Sequence, residues 1–211
     1  MDPTFAIKFF GALFAIMNPI SGLPVFLSMT EGAGPGVQRA IALKVATYIA
    51  VMGVVVALVG VQVLRIFGIS IHDLQVAGGL VVMGIAFSML HGAASSAHHG
   101  SESEQATFAD TSSLAFYPLA FPLMMGPGSI TTLILFAGQA QGLPEWIGFF
   151  AAFGVVVAAV GVVFAMGSRL GEHLSGSARV IISRIMGLIL AAIAVDMIAN
   201  GIKVLLPGLA S

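Results

Sequence analysis

Residues 14–27, FAIMNPISGLPVFL, and residues 119–136, LAFPLMMGPGSITTLILF, each carry a helix-breaking motif inside an apolar run. We call Asn18–Gly22 the first break and Gly126–Ser129 the second break. Proline lacks a backbone donor, and freed backbone groups are costly in lipid, where no water satisfies them. Such motifs are tolerated at membrane depth where protein buries them or where they line a polar cavity. A matched pair of interrupted spans therefore points to the binding site of a secondary transporter.

The composition predicts an all-α membrane protein. Hydrophobic residues make up 58% and charged residues 8% of the 211 positions, whereas soluble domains are roughly 25% charged. Apolar runs of about 20 residues are long enough to cross a bilayer. We predict one transmembrane domain over residues 1–211, with six transmembrane helices at about 5–29, 40–64, 70–91, 114–138, 145–168 and 180–205.

Charge and cysteine content exclude several classes of function. The chain has 8 basic and 9 acidic residues, so it offers no basic surface for nucleic acid. It has no cysteine, which excludes disulfides and thiolate metal sites. We expect no cofactor and no metal, and the lipid bilayer as the surroundings of the spans.

The basic residues also predict an orientation. Six spans place both termini on one side of the membrane. Lys8, Arg65 and Lys203 fall on that side, and the other side has Arg39, Lys44, Arg169, Arg179 and Arg184. Cytoplasmic loops carry an excess of lysine and arginine, so both termini are expected outside.

The chain also matches itself when it is shifted by 108 positions. The shift aligns Pro19 with Pro127, Ser21 with Ser129, Gly53 with Gly161, Gly79 with Gly187, Ile85 with Ile193 and Met89 with Met197. Coincidence within an apolar composition is the alternative. Because three spans per half is an odd number, the second copy must enter from the opposite side. We predict two inverted three-helix repeats, about 1–91 and 113–211, with helices 1 and 4 discontinuous.

A polar linker at about 92–112 joins the two halves on the predicted cytoplasmic side. It is rich in small residues, which is typical of a flexible connection. It also carries His98, His99, Glu102, Glu104 and Asp110, with His91 just before it. These side chains show no metal-ligand spacing, so a solvated loop is the preferred interpretation.

Each break predicts the end of one half-helix and the start of another. Asn18 and Gly126 are helix caps, and a proline suits the first helical position. A half-helix start offers free amides and a positive dipole end, which suit a carboxylate. Carbonyls before the breaks can accept hydrogen bonds from an ammonium group, so the site suits a zwitterionic amino acid. The predicted binding residues are Asn18, Pro19, Ile20, Ser21, Gly22, Gly126, Pro127, Gly128, Ser129, Ile130 and Thr131. The alternative is a pair of kinks stabilised by neighbouring helices.

Asp196 is an ionisable residue inside the sixth predicted span. Asn200 lies one turn further along the same helix face. An intramembrane carboxyl group predicts a functional site, here a site for a coupling proton or cation. The alternative is an aspartate that faces polar protein or the outer interface.

Three stretches resemble the MarC family of bacterial and archaeal membrane proteins. They are residues 14–27, residues 122–130 with the sequence PLMMGPGSI, and Arg184–Gly187 together with Asn200–Gly201. Ser21 departs from the family pattern, in which many relatives carry glycine. The resemblance implies a protein of the prokaryotic cytoplasmic (inner) membrane that transports small neutral amino acids such as glycine and alanine. It also implies an ion gradient as the driving force, with protons as the expected ion.

We therefore expect a secondary transporter that works by alternating access, and not an enzyme. A channel or a structural membrane subunit is the first alternative. An intramembrane enzyme using Asp196 with His91, His98 and His99 is the second. The chain contains neither an H-E-x-x-H nor a G-x-S-x-G sequence, which disfavours the enzyme.

Overall fold

A computed structural model describes residues 3–91, 111–173 and 175–206, and these residues form helices and no strands. In chain order the helices are α1 (Pro3–Met17), α2 (Pro19–Met29), α3 (Pro35–Ile66), α4 (Ile71–His91), α5 (Thr111–Leu114), α6 (Pro127–Gln139), α7 (Leu143–Ala165), α8 (Gly167–His173) and α9 (Gly176–Leu205). An irregular segment, Ala115–Met124, connects α5 to the second break. The predicted linker lies outside the described residues, apart from its last two positions.

Five helical stretches are long and apolar enough to cross a membrane. They are Thr4–Met29, which includes α1 and α2, followed by α3, α4, α7 and α9. A sixth span results if Ala115–Met124 and α6 count as one span, although they are bent by 65° at the second break. The prediction of an all-α protein with several membrane-crossing helices is thus confirmed.

Local capping signals explain where several helices begin. Asp73 Oδ2 accepts hydrogen bonds from the amide (2.9 Å) and the hydroxyl (2.6 Å) of Ser70, and the Asp73 amide donates back to Ser70 Oγ at 3.1 Å. This reciprocal pair resembles a capping box and fixes the start of α4. Ser175 caps α9 by accepting from the Ala178 amide at 3.2 Å. α3 begins at Pro35, earlier than the predicted position 40. The polar residues Gln38 and Arg39 belong to its first turns, which extend beyond the apolar run.

Helix packing centres on aromatic stacks and on glycines. Phe9 of α1 stacks on Phe149 of α7 with ring centroids 4.4 Å apart, and Phe26 of α2 stacks on Phe164 of α7 at 4.6 Å. α4 packs along α9, α3 packs against α7, and α1 packs against α6 and α7. Glycines allow helix backbones to approach each other closely, as membrane helices require.

The outer surface of the helices is apolar. On α3, for example, Val51, Val55 and Leu58 are more than half exposed. A soluble monomer rarely exposes large contiguous apolar patches, whereas a membrane helix must present such a surface to lipid. The pattern of exposure therefore agrees with a chain surrounded by hydrocarbon.

Candidate functional site

At the first break, Asn18 separates α1 from α2. Its backbone is left-handed, with φ 32° and ψ 74°, and it is the one non-glycine residue with positive φ among those described. Asparagine enters this region more readily than other side chains because its short polar group bonds locally. Here Asn18 Oδ1 accepts from the Ser21 amide at 3.2 Å. The residue is 5% exposed, so this turn lies inside the protein.

The amides at the start of α2 are largely satisfied by Asn18 itself. The carbonyl of Asn18 accepts from Ser21 at 3.0 Å and from Gly22 at 3.1 Å. Among the amides of Ile20, Ser21 and Gly22 at the start of α2, only that of Ile20 has no acceptor in the described part of the chain. The first break is therefore a self-capped turn that offers less to an anion than the sequence suggested.

The second break leaves more of its amides free. Gly126 has extended backbone and no side chain to cap α6. Its carbonyl accepts from Ile130 at 3.0 Å, while the amides of Gly128 and Ser129 have no acceptor within residues 3–91, 111–173 and 175–206. Gly128 and Ser129 are both buried. Two free, buried amides at a helix start form the kind of donor pair that binds an anion.

The chain before the second break is not a regular helix. Tyr117 and Phe121 adopt extended backbone, and each precedes a proline, a position that disfavours helical geometry. Ser129 Oγ donates to the Met124 carbonyl at 2.7 Å. This buried bond joins the irregular segment to the first turn of α6.

The structure brings the two breaks together. A Cβ placed on Gly22 would lie 2.5 Å from Met124 Cε, so the start of α2 touches the chain just before the second break. A Cβ placed on Gly128 would lie 3.3 Å from Ile16 Cγ2 and 2.8 Å from Ile85 Cδ1. Ile16 stands two residues before Asn18, just as Met124 stands two residues before Gly126. Each break thus contacts the side chain that precedes the other.

Unsatisfied polar atoms concentrate at these breaks. Asn18 Nδ2, Thr132 Oγ1 and His72 Nδ1 are the buried side-chain polar atoms that lack a hydrogen-bond partner in the part of the chain that the structure describes. Two of the three belong to the first break or to the first turns of α6. Buried polar groups in proteins are nearly always paired, so an unpaired donor or hydroxyl needs an explanation such as a ligand or a water.

The other predicted binding residues differ in position. Ser21 and Pro127 are exposed, and Ile20 and Ile130 are half-buried. Thr131 is buried, with its methyl group directed against Gly78 of α4. Pro19 is buried at the first position of α2. The buried polar part of the predicted set therefore consists of Asn18, Ser129 and Thr131.

Asp196 and Asn200 lie in a separate cavity of about 560 Å³. It is bounded by the start of α1, the start of α4, the end of α6 and the end of α9. Lys8, Gln75 and Gln139 contribute further polar side chains to its wall. Sequence reasoning used Lys8 only for orientation and missed Gln75. Thr4, Lys8 and Ala12 all line the cavity and recur every four residues, a periodicity that indicates one helix face.

Comparisons with known proteins decide the family. The model of the MarC family integral membrane proteins matches residues 4–206, a range that includes both breaks and the cavity residues. The chain belongs to the MarC family. UPF0056 membrane protein YvbG of Bacillus subtilis is 34% identical over 99% of both chains. UPF0056 membrane protein YhcE of Escherichia coli is 34% identical, with 96% of this chain and 94% of the relative covered.

The MarC family occurs in archaea as well as in bacteria. A UPF0056 membrane protein of Pyrococcus abyssi is 34% identical over 95% of this chain and 94% of its own length. No solved structure matches the sequence. Membership makes this chain an integral membrane protein, in agreement with its apolar helices. The names of these relatives state no substrate, so any transport role has to be argued from the site.

Proposed function

We propose that this MarC protein is a secondary transporter that moves small neutral amino acids of the glycine and alanine class by alternating access. The contact between the two breaks carries the proposal. It joins the second break, where the amides of Gly128 and Ser129 have no acceptor among the described residues, to the first break, where Nδ2 of Asn18 is buried and unpaired. A ligand carboxylate would satisfy these donors, and the irregular chain before the second break offers carbonyls to an ammonium group.

The crossing of α4 and α9 supports an inverted repeat. A Cβ on Gly79 would lie 3.1 Å from the carbonyl oxygen of Ala194, and a Cβ on Gly187 would lie 3.1 Å from that of Ala86. Gly187 and Ala194 are the residues 108 positions after Gly79 and Ala86. The two contacts are therefore the same contact with the halves exchanged, as a two-fold relation between halves requires.

Contacts between the other helices follow the same exchange. α3 packs against Ala115–Met124 and α6, and its repeat counterpart α7 packs against α1 and α2. Likewise α4 contacts α6, while its counterpart α9 contacts α1 and α2. This pattern supports helices 1 and 4 as equivalent, discontinuous spans of two inverted halves. Rocking of such halves about a fixed site is the usual basis of alternating access.

Apolar side chains contact a glycine of each break. Ile16 and Ile85 lie against Gly128, and Met124 lies against Gly22. Methionine is unbranched and adaptable, so Met124 can move at small cost. We infer that substrate enters when Ile16 and Met124 withdraw, and that their return closes the site.

Orientation and coupling complete the proposal. We place the start of α1 and the end of α9 on the outer face of the cytoplasmic membrane. Arg39, Lys44 and Arg169 then lie on the cytoplasmic face, where basic residues are in excess. Protons are the proposed coupling ion, and Asp196 with Asn200 is the proposed site for that ion. The carboxyl group lies inside a span, where ionisable groups generally serve function.

Uptake into proteoliposomes tests the proposal. Purified protein is reconstituted, and entry of labelled glycine and alanine is measured with and without an imposed pH gradient. Saturable uptake that the gradient accelerates is expected. A large flux without saturation would indicate a channel instead, and the absence of any protein-dependent flux under every gradient and lipid condition would reject transport of these solutes.

A further inference from the structure

The cavity at the ends of α1, α4, α6 and α9 contains two opposite charges that do not bind each other. Lys8 and Asp196 both line it, both are exposed, and neither has an ion pair or hydrogen bond with any residue that the structure describes. A charged side chain within a membrane span is costly and normally finds a partner. Two unpaired opposite charges on one cavity wall therefore indicate a ligand that carries both charges.

Gln75 is an independent sign of a ligand. It is 7% exposed, yet its side chain lines the cavity and has no hydrogen-bond partner in the described ranges. A polar side-chain atom that had no partner and no exposed surface would count as buried and unsatisfied, and neither amide atom of Gln75 does so. Its unpaired amide is therefore partly open rather than enclosed by protein. A buried glutamine generally bonds to protein, water or ligand, so this amide is available to whatever fills the cavity.

Most of the remaining wall is apolar, and its other polar residues are Thr4, Gln139 and Asn200. Phe5, Leu135, Phe136 and Met197 contribute to it. The volume of about 560 Å³ falls within the ~300–1,000 Å³ range typical of small-molecule sites. Glycine, which has no side chain, would leave most of this apolar surface uncovered.

We propose that this cavity is a second binding site, which takes a zwitterion with an apolar side chain on the side where α1 begins and α9 ends. Lys8 binds the anionic group, Asp196 binds the ammonium group, and Gln75 hydrogen-bonds to one of them. The proposal rests on the proposed function for the class of solute that reaches the site. In this second site Asp196 binds the ammonium group of the ligand, a role that does not depend on whether Asp196 also binds the coupling ion.

Equilibrium binding of labelled leucine to the purified protein tests the proposal without relying on transport. The competitors are 3-methylbutylamine, which is leucine without its carboxyl group, and 4-methylpentanoate, which is leucine without its amino group. Wild-type protein is expected to prefer leucine by about tenfold or more over each competitor, since each lacks one charge-assisted contact. Glycine is expected to compete poorly.

Each charge-neutralising variant should lose the preference for leucine over one of the two analogues. Lys8→Gln is expected to bind the amine as well as leucine, and Asp196→Asn to bind the carboxylate as well as leucine. Lys8→Arg and Asp196→Glu keep the charges and should restore the preference for leucine. The crossed pattern is specific to the cavity, because misfolding would weaken all three ligands equally. Parallel losses in both neutral variants, or a wild-type protein that does not distinguish leucine from its analogues, would overturn the proposal.

Two controls separate the sources of the ligand and the two sites. A phosphatidylethanolamine headgroup has the same charges, so leucine binding is compared in nanodiscs of phosphatidylethanolamine and of phosphatidylglycerol. Binding in both assigns the site to a free amino acid, and binding only in phosphatidylglycerol assigns it to the lipid headgroup. Gly128→Leu blocks the breaks but should retain leucine binding in the cavity. Failed glycine uptake by the wild-type protein, with its leucine selectivity intact, would reject the proposed function alone.

Discussion

Replacement of Asn18 separates the structural role of the first break from its role in binding. In Asn18→Ala the left-handed backbone costs about 1–2 kcal/mol, and the lost cap to the Ser21 amide costs about 1 kcal/mol. Removal of the buried, unpaired Nδ2 returns roughly 1 kcal/mol. The expected net loss of stability is about 1–2 kcal/mol, which corresponds to a melting temperature lower by roughly 2–8 °C.

Asn18→Gly gives a different balance at the same position. Glycine adopts φ 32° without the steric cost, loses only a few tenths of a kcal/mol as a cap, and increases the entropy of the unfolded chain by about 0.5–1 kcal/mol. Relief of the unpaired Nδ2 offsets these losses, so the stability should lie within about 0.5 kcal/mol of wild type. Both variants nevertheless lack the donor that we assign to the substrate carboxylate.

The assay combines thermal unfolding with uptake. Trp146 is the one tryptophan of the sequence and packs against Phe149, so its fluorescence reports unfolding. Asn18→Gly should unfold as wild type does, yet take up glycine with about tenfold or greater loss of apparent affinity, as expected for one hydrogen bond to a charged group. Wild-type affinity in Asn18→Gly would refute the binding role. Equal stability of the alanine and glycine variants would refute the strain argument.

Three further predictions concern buried positions. Gly79→Ala and Gly187→Ala should each lower stability by about 1–2 kcal/mol, because overpacking by 1–3 kcal/mol exceeds the gain of up to ~1 kcal/mol in helix propensity. The control is Gly84→Ala, on the exposed face of α4 with no atom near its Cβ position, and it should be neutral or stabilising. Stability changes of opposite sign for Gly79→Ala and Gly187→Ala in thermal unfolding would count against the repeat. Ser129→Ala removes the donor to the Met124 carbonyl and should cost about 1 kcal/mol in the same measurement. Gly128→Leu should abolish glycine uptake while the protein still elutes as a single folded species, and retained uptake would exclude the second break from the site.

The positions of the helix ends followed from local chemistry. An Asn-Pro or Gly-Pro pair offers a cap followed by a residue that suits the first helical position, and α2 and α6 begin at those prolines. The extended residues Tyr117 and Phe121 also had a local signal, because each precedes a proline.

Other features depend on how distant segments meet. Capture of the Ser21 and Gly22 amides by Asn18 depends on the left-handed turn, which the sequence permits but does not specify. The cavity that joins Lys8, Gln75 and Asp196 is formed by four helices, so no local pattern indicates it. The predicted inverted repeat also suggests two equivalent breaks, whereas tertiary packing determines how each break is satisfied.

The difference between the breaks has a functional consequence. The first break itself satisfies the amides of Ser21 and Gly22, and it leaves the Ile20 amide and one side-chain donor, Asn18 Nδ2, without a partner among the described residues. At the second break the amides of Gly128 and Ser129 have no acceptor in the described ranges, and the chain bends by 65°. Free amides at a helix start attract a carboxylate more strongly than a single neutral amide group does. In the proposed transporter, the substrate carboxylate should therefore stay with α6 while Asn18 adds its contact only when the halves close on it. The proposal thus assigns binding to the second break and the sensing of occupancy to the first.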